Sequence, residues 1–213
     1  FIPYGKVTII QGDPGEGKTT MVLQIIAKLT RGESILPADS TKDKRIDIDS
    51  ESDMVDAENI ENNASTQHLE APVNVIYQTA EDGLGDTIKP RLLAAGADCT
   101  KVMVIDDSEQ PLTMADVRLE EAIVQTKARM VVLDPIQGFL GSEVDMHRAN
   151  EIRPLMKRIA VLAEKYHCAI ILIGHMNKNS NGKSSYRGLG SIDIMAAVRS
   201  LIFIGKVRKD PTT

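Results

Sequence analysis

The run Gly12-Asp13-Pro14-Gly15-Glu16-Gly17-Lys18-Thr19 fits G-x-x-x-x-G-K-[ST] at every fixed position, and few folds are open to a chain that carries it. Lys6 to Gln11, just before it, reads as a short buried strand. Just after it, Val22, Ile25, Ile26 and Leu29 recur at helical spacing. Strand, glycine-rich turn and helix in this order make a phosphate loop, because the N–H groups of the turn and the positive end of the helix converge where a polyphosphate sits. Gly12, Asp13, Pro14, Gly15, Glu16, Gly17, Lys18, Thr19 and Thr20 are therefore the candidate nucleotide-binding residues. Lys18 is expected to reach the β- and γ-phosphates, where it takes part in catalysis, and the Thr19 hydroxyl to ligate Mg2+.

The 213 residues fit one α/β domain with a substantial core. No apolar run is long enough to span a membrane, and the N-terminus lacks a signal-peptide pattern, so a cytoplasmic protein is expected. Cys99 and Cys168 stand far apart and in no C-x-x-C pair, which argues for reduced thiols and against a metal framework. The chain opens on Phe1 and stops just after a strand-like run, so it reads as a piece of a longer protein. Its net charge is −5, but Asp39 to Glu70 holds ten acidic residues against Lys42, Lys44 and Arg45, and the rest is mildly basic. That stretch, about residues 39–71, has the composition of an acidic mobile insertion.

Strand and helix patterns alternate along the remainder. Val73 to Tyr77 is a strand with the polar exit Gln78 to Gly83. Thr87 to Ala95 is a helix closed by Gly96, and Lys101 to Ile105 a third strand. Thr113-Met114-Ala115-Asp116 matches a capping box and opens a helix to about Lys127. Ile152, Leu155, Met156, Ile159, Leu162, Ala163 and Tyr166 share one helical face, with Pro154 in or near its first turn. Cys168 to Gly174 is a buried strand ending at His175. A basic loop from Asn177 to Gly190, a short helix from about Ser191 to Val198 and a strand from Leu201 to Val207 follow. The alternation predicts a mostly parallel central sheet with helices on both faces.

Two strand-end carboxylates carry the chemistry. Met130-Val131-Val132-Leu133-Asp134 is an apolar strand ending in a lone acid, the Walker B pattern, and makes Asp134 the second metal-facing residue beside Thr19. Glu81 follows another strand, on the edge where open α/β sheets bind ligands, and is the candidate to polarise a water for in-line attack.

The phosphate loop with Thr20, Tyr77-Gln78-Thr79-Ala80-Glu81-Asp82, Val131 to Pro135, Gly174-His175-Met176-Asn177-Lys178, Arg187-Gly188-Leu189-Gly190-Ser191 and Ala196-Ala197-Val198-Arg199-Ser200 resemble the RecA-like P-loop ATPases. The resemblance is closest to the branch of RepA-type replicative helicases and primase-associated ATPases. It implies a RecA-like fold in which the His175 strand lies between the phosphate-loop strand and the Walker B strand, so that His175 senses the γ-phosphate. It likewise implies that the loop bearing Lys178, Lys183 and Arg187 follows single-stranded DNA, with the loop after Walker B, bearing His147 and Arg148, a weaker second lining. A homo-oligomer, typically a hexameric ring, is implied too, with a basic finger from the neighbouring subunit: Arg199, or Lys206 and Arg208 in Lys206-Val207-Arg208. A primase domain or partner is a further implied association. Against ATP hydrolysis coupled to DNA in replication or repair stands a regulatory switch in which bound ATP sets assembly and hydrolysis is incidental.

Overall fold

The computed structural model describes residues 2–35, 71–145, 148–175, 194 and 197–206. Within them the elements run β1 (Val7–Gly12), α1 (Lys18–Arg31), β2 (Val75–Thr79), α2 (Lys89–Ala94), β3 (Val102–Met103), α3 (Val117–Thr126), β4 (Met130–Asp134), α4 (Ala149–Lys165), β5 (Ala169–His175) and β6 (Ser200–Phe203). The strands form one sheet in the order β3-β2-β4-β5-β1-β6. Every pairing is parallel. Sequences such as Met130-Val131-Val132-Leu133 suit such a sheet, because strands covered on both faces have no polar side to show.

Side-chain alternation divides the core into two layers. Val7, Ile9, Ile76, Val131, Leu133, Ile170 and Leu172 face α3 and α4, packing on Leu119, Ile123, Ile152, Met156, Ile159 and Leu162. Ile10, Tyr77, Val132, Ile171 and Ile173 face the other way, onto Val22, Ile26 and Leu29 of α1 and Leu92 of α2. Each fully buried aliphatic side chain contributes about 1.5–3 kcal/mol of transfer free energy, so these layers hold the sheet. Their register brings the strand ends level: Gly12 lies opposite His175, and Thr79 opposite Asp134. β5 lies between β1 and β4, as the resemblance implies.

Several local features depart from the expectations. The Thr113 capping box does not form; α3 starts later, with the Asp116 side chain accepting from the Arg118 N–H at 2.9 Å and gripping its guanidinium at 2.7 Å. A carboxylate that caps and pairs at once displaces a hydroxyl that only caps. Thr87 does not open α2. It lies in a wide turn, Leu84–Ile88, whose Thr87 and Ile88 N–H groups both donate to the Gly83 carbonyl, and α2 begins at Lys89 with proline in its first turn. β3 is cut to two residues. Beyond it the Gln78 side chain takes over the pairing, its amide donating to the Ile105 carbonyl and accepting the Ile105 N–H, both at 3.0 Å. Pro154 is the sixth residue of α4, inside the helix rather than in its first turn. β6 spans only Ser200–Phe203. The acidic stretch 41–70, the loop 177–190, most of the expected helix 191–198, and Val207 lie outside the described residues. The α1 terminus is as expected: Gly32 adopts φ 72°, and the Gly32 and Glu33 N–H groups close on Leu29 and Lys28.

Gly12 is required by packing. A Cβ on it would stand 2.4 Å from the carbonyl oxygen of Ile204, backbone that leaves β6 and is itself bonded to Gln11. Gly12→Ala is therefore expected to cost about 1–3 kcal/mol, since the obstacle is not a movable side chain. A chemical-denaturation midpoint measures it, and an unchanged midpoint would show that β6 yields freely.

Candidate functional site

The phosphate loop leaves the sheet at Gly12 and enters α1 at Lys18. Two residues within it take left-handed conformations, Gly15 at φ 79° and Gly17 at φ 87°. A Cβ at either would meet nothing within 4 Å, so these glycines serve backbone shape rather than space. No side chain caps the first turn of α1 and no acid lies in it, which leaves its N–H groups turned to the loop. Lys18 is only 4% exposed, and its Nζ donates to the carbonyls of Gly12 and Asp13, both at 2.9 Å. Burial lowers its pKa, opposed by the charges of Asp134, Glu16, Asp13 and Glu81. A cation held among carbonyls beside unpaired helix N–H groups suits a polyphosphate. Thr20 faces elsewhere, lining a cavity of about 210 Å3 with Leu23, Gln24 and Arg91.

Thr19 and Asp134 come together from opposite parts of the chain. The Thr19 hydroxyl donates to Asp134 Oδ2 at 2.8 Å, and the Tyr77 hydroxyl donates to the same oxygen at 2.8 Å. The two-residue period of the strands explains the meeting, because Tyr77 and Asp134 lie on the α1 face with Val132 and Ile173. Asp134 is 6% exposed. Desolvation raises its pKa, while the bonds from Thr19 and Tyr77 pull it down. Burial, and then the charge of Asp134, raise the Tyr77 pKa far above the phenol range, so the hydroxyl keeps its proton. A buried carboxylate with a hydroxyl at its side, and with no cation bonded to it among the described residues, would fit a hard divalent ion. Among the described residues no three His, Cys, Asp or Glu cluster as a metal cage.

Glu81 and His175 complete the edge. The Thr79 hydroxyl accepts the N–H groups of Glu81 and Asp82 at 3.4 and 3.1 Å, which bends the chain after β2 so that Glu81 returns over the sheet. Its Oε2 stands 3.5 Å from His175 Nε2, with the Glu81 side chain 63% exposed. The other ring nitrogen, His175 Nδ1, is buried and has no hydrogen-bond partner among the described residues. Asp82 pairs loosely with Arg91 at 3.9 Å.

The remaining candidates are dispersed. Arg199 is exposed at the start of β6, where its N–H bonds Val7 at the edge away from the loop. Lys206, exposed past the end of β6, is on the loop's side of the sheet, since neighbouring Gly205 lies beside Glu16. Arg148 is largely exposed and pairs with Asp145 and Glu151 at 3.5 and 3.3 Å. Lys178, Lys183, Arg187, Arg208 and His147 lie outside the described residues. Both cysteines are free thiols, and burial pushes Cys168 up to about 12. No helix among the described residues is long and apolar enough to cross a membrane. Tyr77 escaped the reading of the sequence as a site residue, because one tyrosine in an apolar strand reads as core. Its alternation with Thr79 was the available signal.

A left-handed glycine loop, a buried lysine and a hydroxyl beside a strand-end acid, all at the C-terminal edge of a parallel sheet, define a P-loop ATPase domain of RecA-like architecture. Residues 1–181 match the AAA domain family, and the chain belongs to it. No curated protein matches the chain.

Proposed function

We propose that this domain hydrolyses ATP with magnesium and couples hydrolysis to single-stranded DNA, as a RepA-like helicase ATPase of a homo-oligomeric, typically hexameric, assembly in the cytoplasm. The observation that carries the reading is the pairing of Glu81 with His175 at 3.5 Å. It joins a water-polarising acid to the residue from which the basic stretch departs. The loop N–H groups and Lys18 hold the β- and γ-phosphates, and Glu81 accepts the proton of a water lined up behind the γ-phosphorus. Magnesium between Thr19, Asp134 and the phosphates would neutralise charge that develops on the transferred group. His175 takes a hydrogen bond to the γ-phosphate in exchange for Glu81, and the change passes to Lys178, Lys183 and Arg187. Arg199, or Lys206 with Arg208, supplies the finger to a neighbouring subunit, and a primase is the associated activity.

The test is the ATPase rate against single-stranded DNA concentration at two salt levels. His175→Ala is expected to bind ATP normally and lose DNA stimulation. Replacing Lys178, Lys183 and Arg187 together is expected to weaken DNA binding and flatten its salt dependence, because each lost phosphate contact releases fewer counterions. Wild-type turnover indifferent to DNA would favour the switch reading instead.

A further inference from the structure

The chemistry proposed above leaves one buried polar group unused. Tyr77 is fully buried at the centre of β2, its ring packed in the layer formed with Ile88, Leu92 and Val132. A phenol in that layer could have been a phenylalanine, yet its hydroxyl reaches Asp134 Oδ2 at 2.8 Å. The second donor to that oxygen, Thr19, has a separate task. A hydroxyl that turns a lone pair to a cation must send its proton elsewhere, and Oδ2 receives it at 2.8 Å. Oδ2 therefore accepts two hydrogen bonds, and Oδ1 accepts none from the described residues.

We propose that Tyr77 is a positioning residue for the metal-facing carboxylate: its hydroxyl pins Oδ2, which fixes the rotation of the Asp134 carboxylate, orients the Thr19 hydroxyl and leaves Oδ1 aimed at the ion's shell. This rests on the reading of Thr19 and Asp134 as the magnesium-facing pair. A neutral donor suits the place. It braces a buried acid from the apolar side without adding a charge that would compete with the cation, as a lysine or arginine there would. The ring is held by packing, so the hydroxyl has little freedom to follow a rotating carboxylate.

The experiment measures binding of a fluorescent ADP analogue, without turnover, in EDTA and in saturating magnesium; the ratio of the two affinities is the magnesium effect. Tyr77→Phe keeps the ring and its packing. Its affinity in EDTA is expected to stay within about twofold of wild type, while the magnesium effect shrinks by about tenfold, the size of one hydrogen bond to a charged group. Asp134→Asn is expected to shrink the magnesium effect more than Tyr77→Phe does, leaving the part that Thr19 and the nucleotide's own phosphates supply. In the Asp134→Asn background the further change Tyr77→Phe is expected to do nothing more to it, since no carboxylate remains to be held. A wild-type magnesium effect in Tyr77→Phe, beside its reduction in Asp134→Asn, overturns the proposal and leaves the metal reading standing. Equal weakening in EDTA and in magnesium, or a further loss in the double variant, also overturns it and makes Tyr77 a core residue only. A wild-type magnesium effect in Asp134→Asn removes the metal reading itself, and the proposal with it.

Discussion

Replacing Lys18 with alanine is expected to abolish nucleotide binding and turnover while leaving the fold intact. The Nζ group is the one side-chain cation set within the loop, bonded to the Gly12 and Asp13 carbonyls at 2.9 Å each. A polyphosphate seated on the loop N–H groups brings several negative charges beside a buried cation, and each charge-assisted bond is worth about 1.5–3 kcal/mol. Losing two such bonds lowers affinity by at least about 100-fold. Folding should not suffer in step. Desolvation already disfavours the charged lysine, as its lowered pKa records, so its removal relieves one cost while it frees two carbonyls that loop water can satisfy. Calorimetric titration with ATP, together with a thermal melt of the nucleotide-free protein, separates the two effects. Unchanged hydrolysis in Lys18→Ala would remove the phosphate-loop assignment.

Glu81→Gln is expected to act on rate alone. The substitution keeps the side chain's shape and its place after the Thr79 turn, but an amide cannot take a proton from water. Hydrolysis should fall by about 100-fold or more, with ATP affinity within a few-fold of wild type. Stability should hardly move, because the contact with His175 is long and Glu81 is 63% exposed. Single-turnover rates and equilibrium binding on the same preparation decide the matter. If both affinity and rate fall together, Glu81 shapes the site and something else activates the water.

What could be read from the sequence was what depends on local pattern. The phosphate loop, the glycine stop of α1, the apolar strands and the faces of α1 and α4 all follow from spacing and residue type. The strand-end positions of Glu81 and Asp134 do as well. Errors arose where two local signals competed. At residues 113–116 the hydroxyl cap matched a motif, but Asp116 could both cap and bind Arg118, a gain visible only once the guanidinium is placed. The helix expected from Thr87 starts earlier, in a wide helical turn at 84–88 whose Thr87 and Ile88 N–H groups converge on the Gly83 carbonyl. Tyr77 and Gln78 were hidden for another reason. Their hydrogen-bond partners, Asp134 and Ile105, lie 57 and 27 residues away, and no window of sequence contains both ends.

Those two neighbours also give β2 an indexing role. Tyr77 turns to the α1 face and Gln78 to the opposite one, so a slip of one residue would swap the brace on Asp134 for the stitch to Ile105 and spoil both at once. The start of the strand is clamped against such a slip. The Val73 N–H bonds the Leu29 carbonyl at 3.2 Å, the Asn74 carboxamide bonds Thr126 at 2.7 Å, and the Asn74 carbonyl receives the Arg129 N–H at 2.9 Å. Upstream of that clamp lies the acidic stretch before β2; downstream lie Tyr77 and Glu81. Residues added to or trimmed from the middle of that stretch are thus insulated from the placement of the two side chains, so its length can vary while the register of β2 holds.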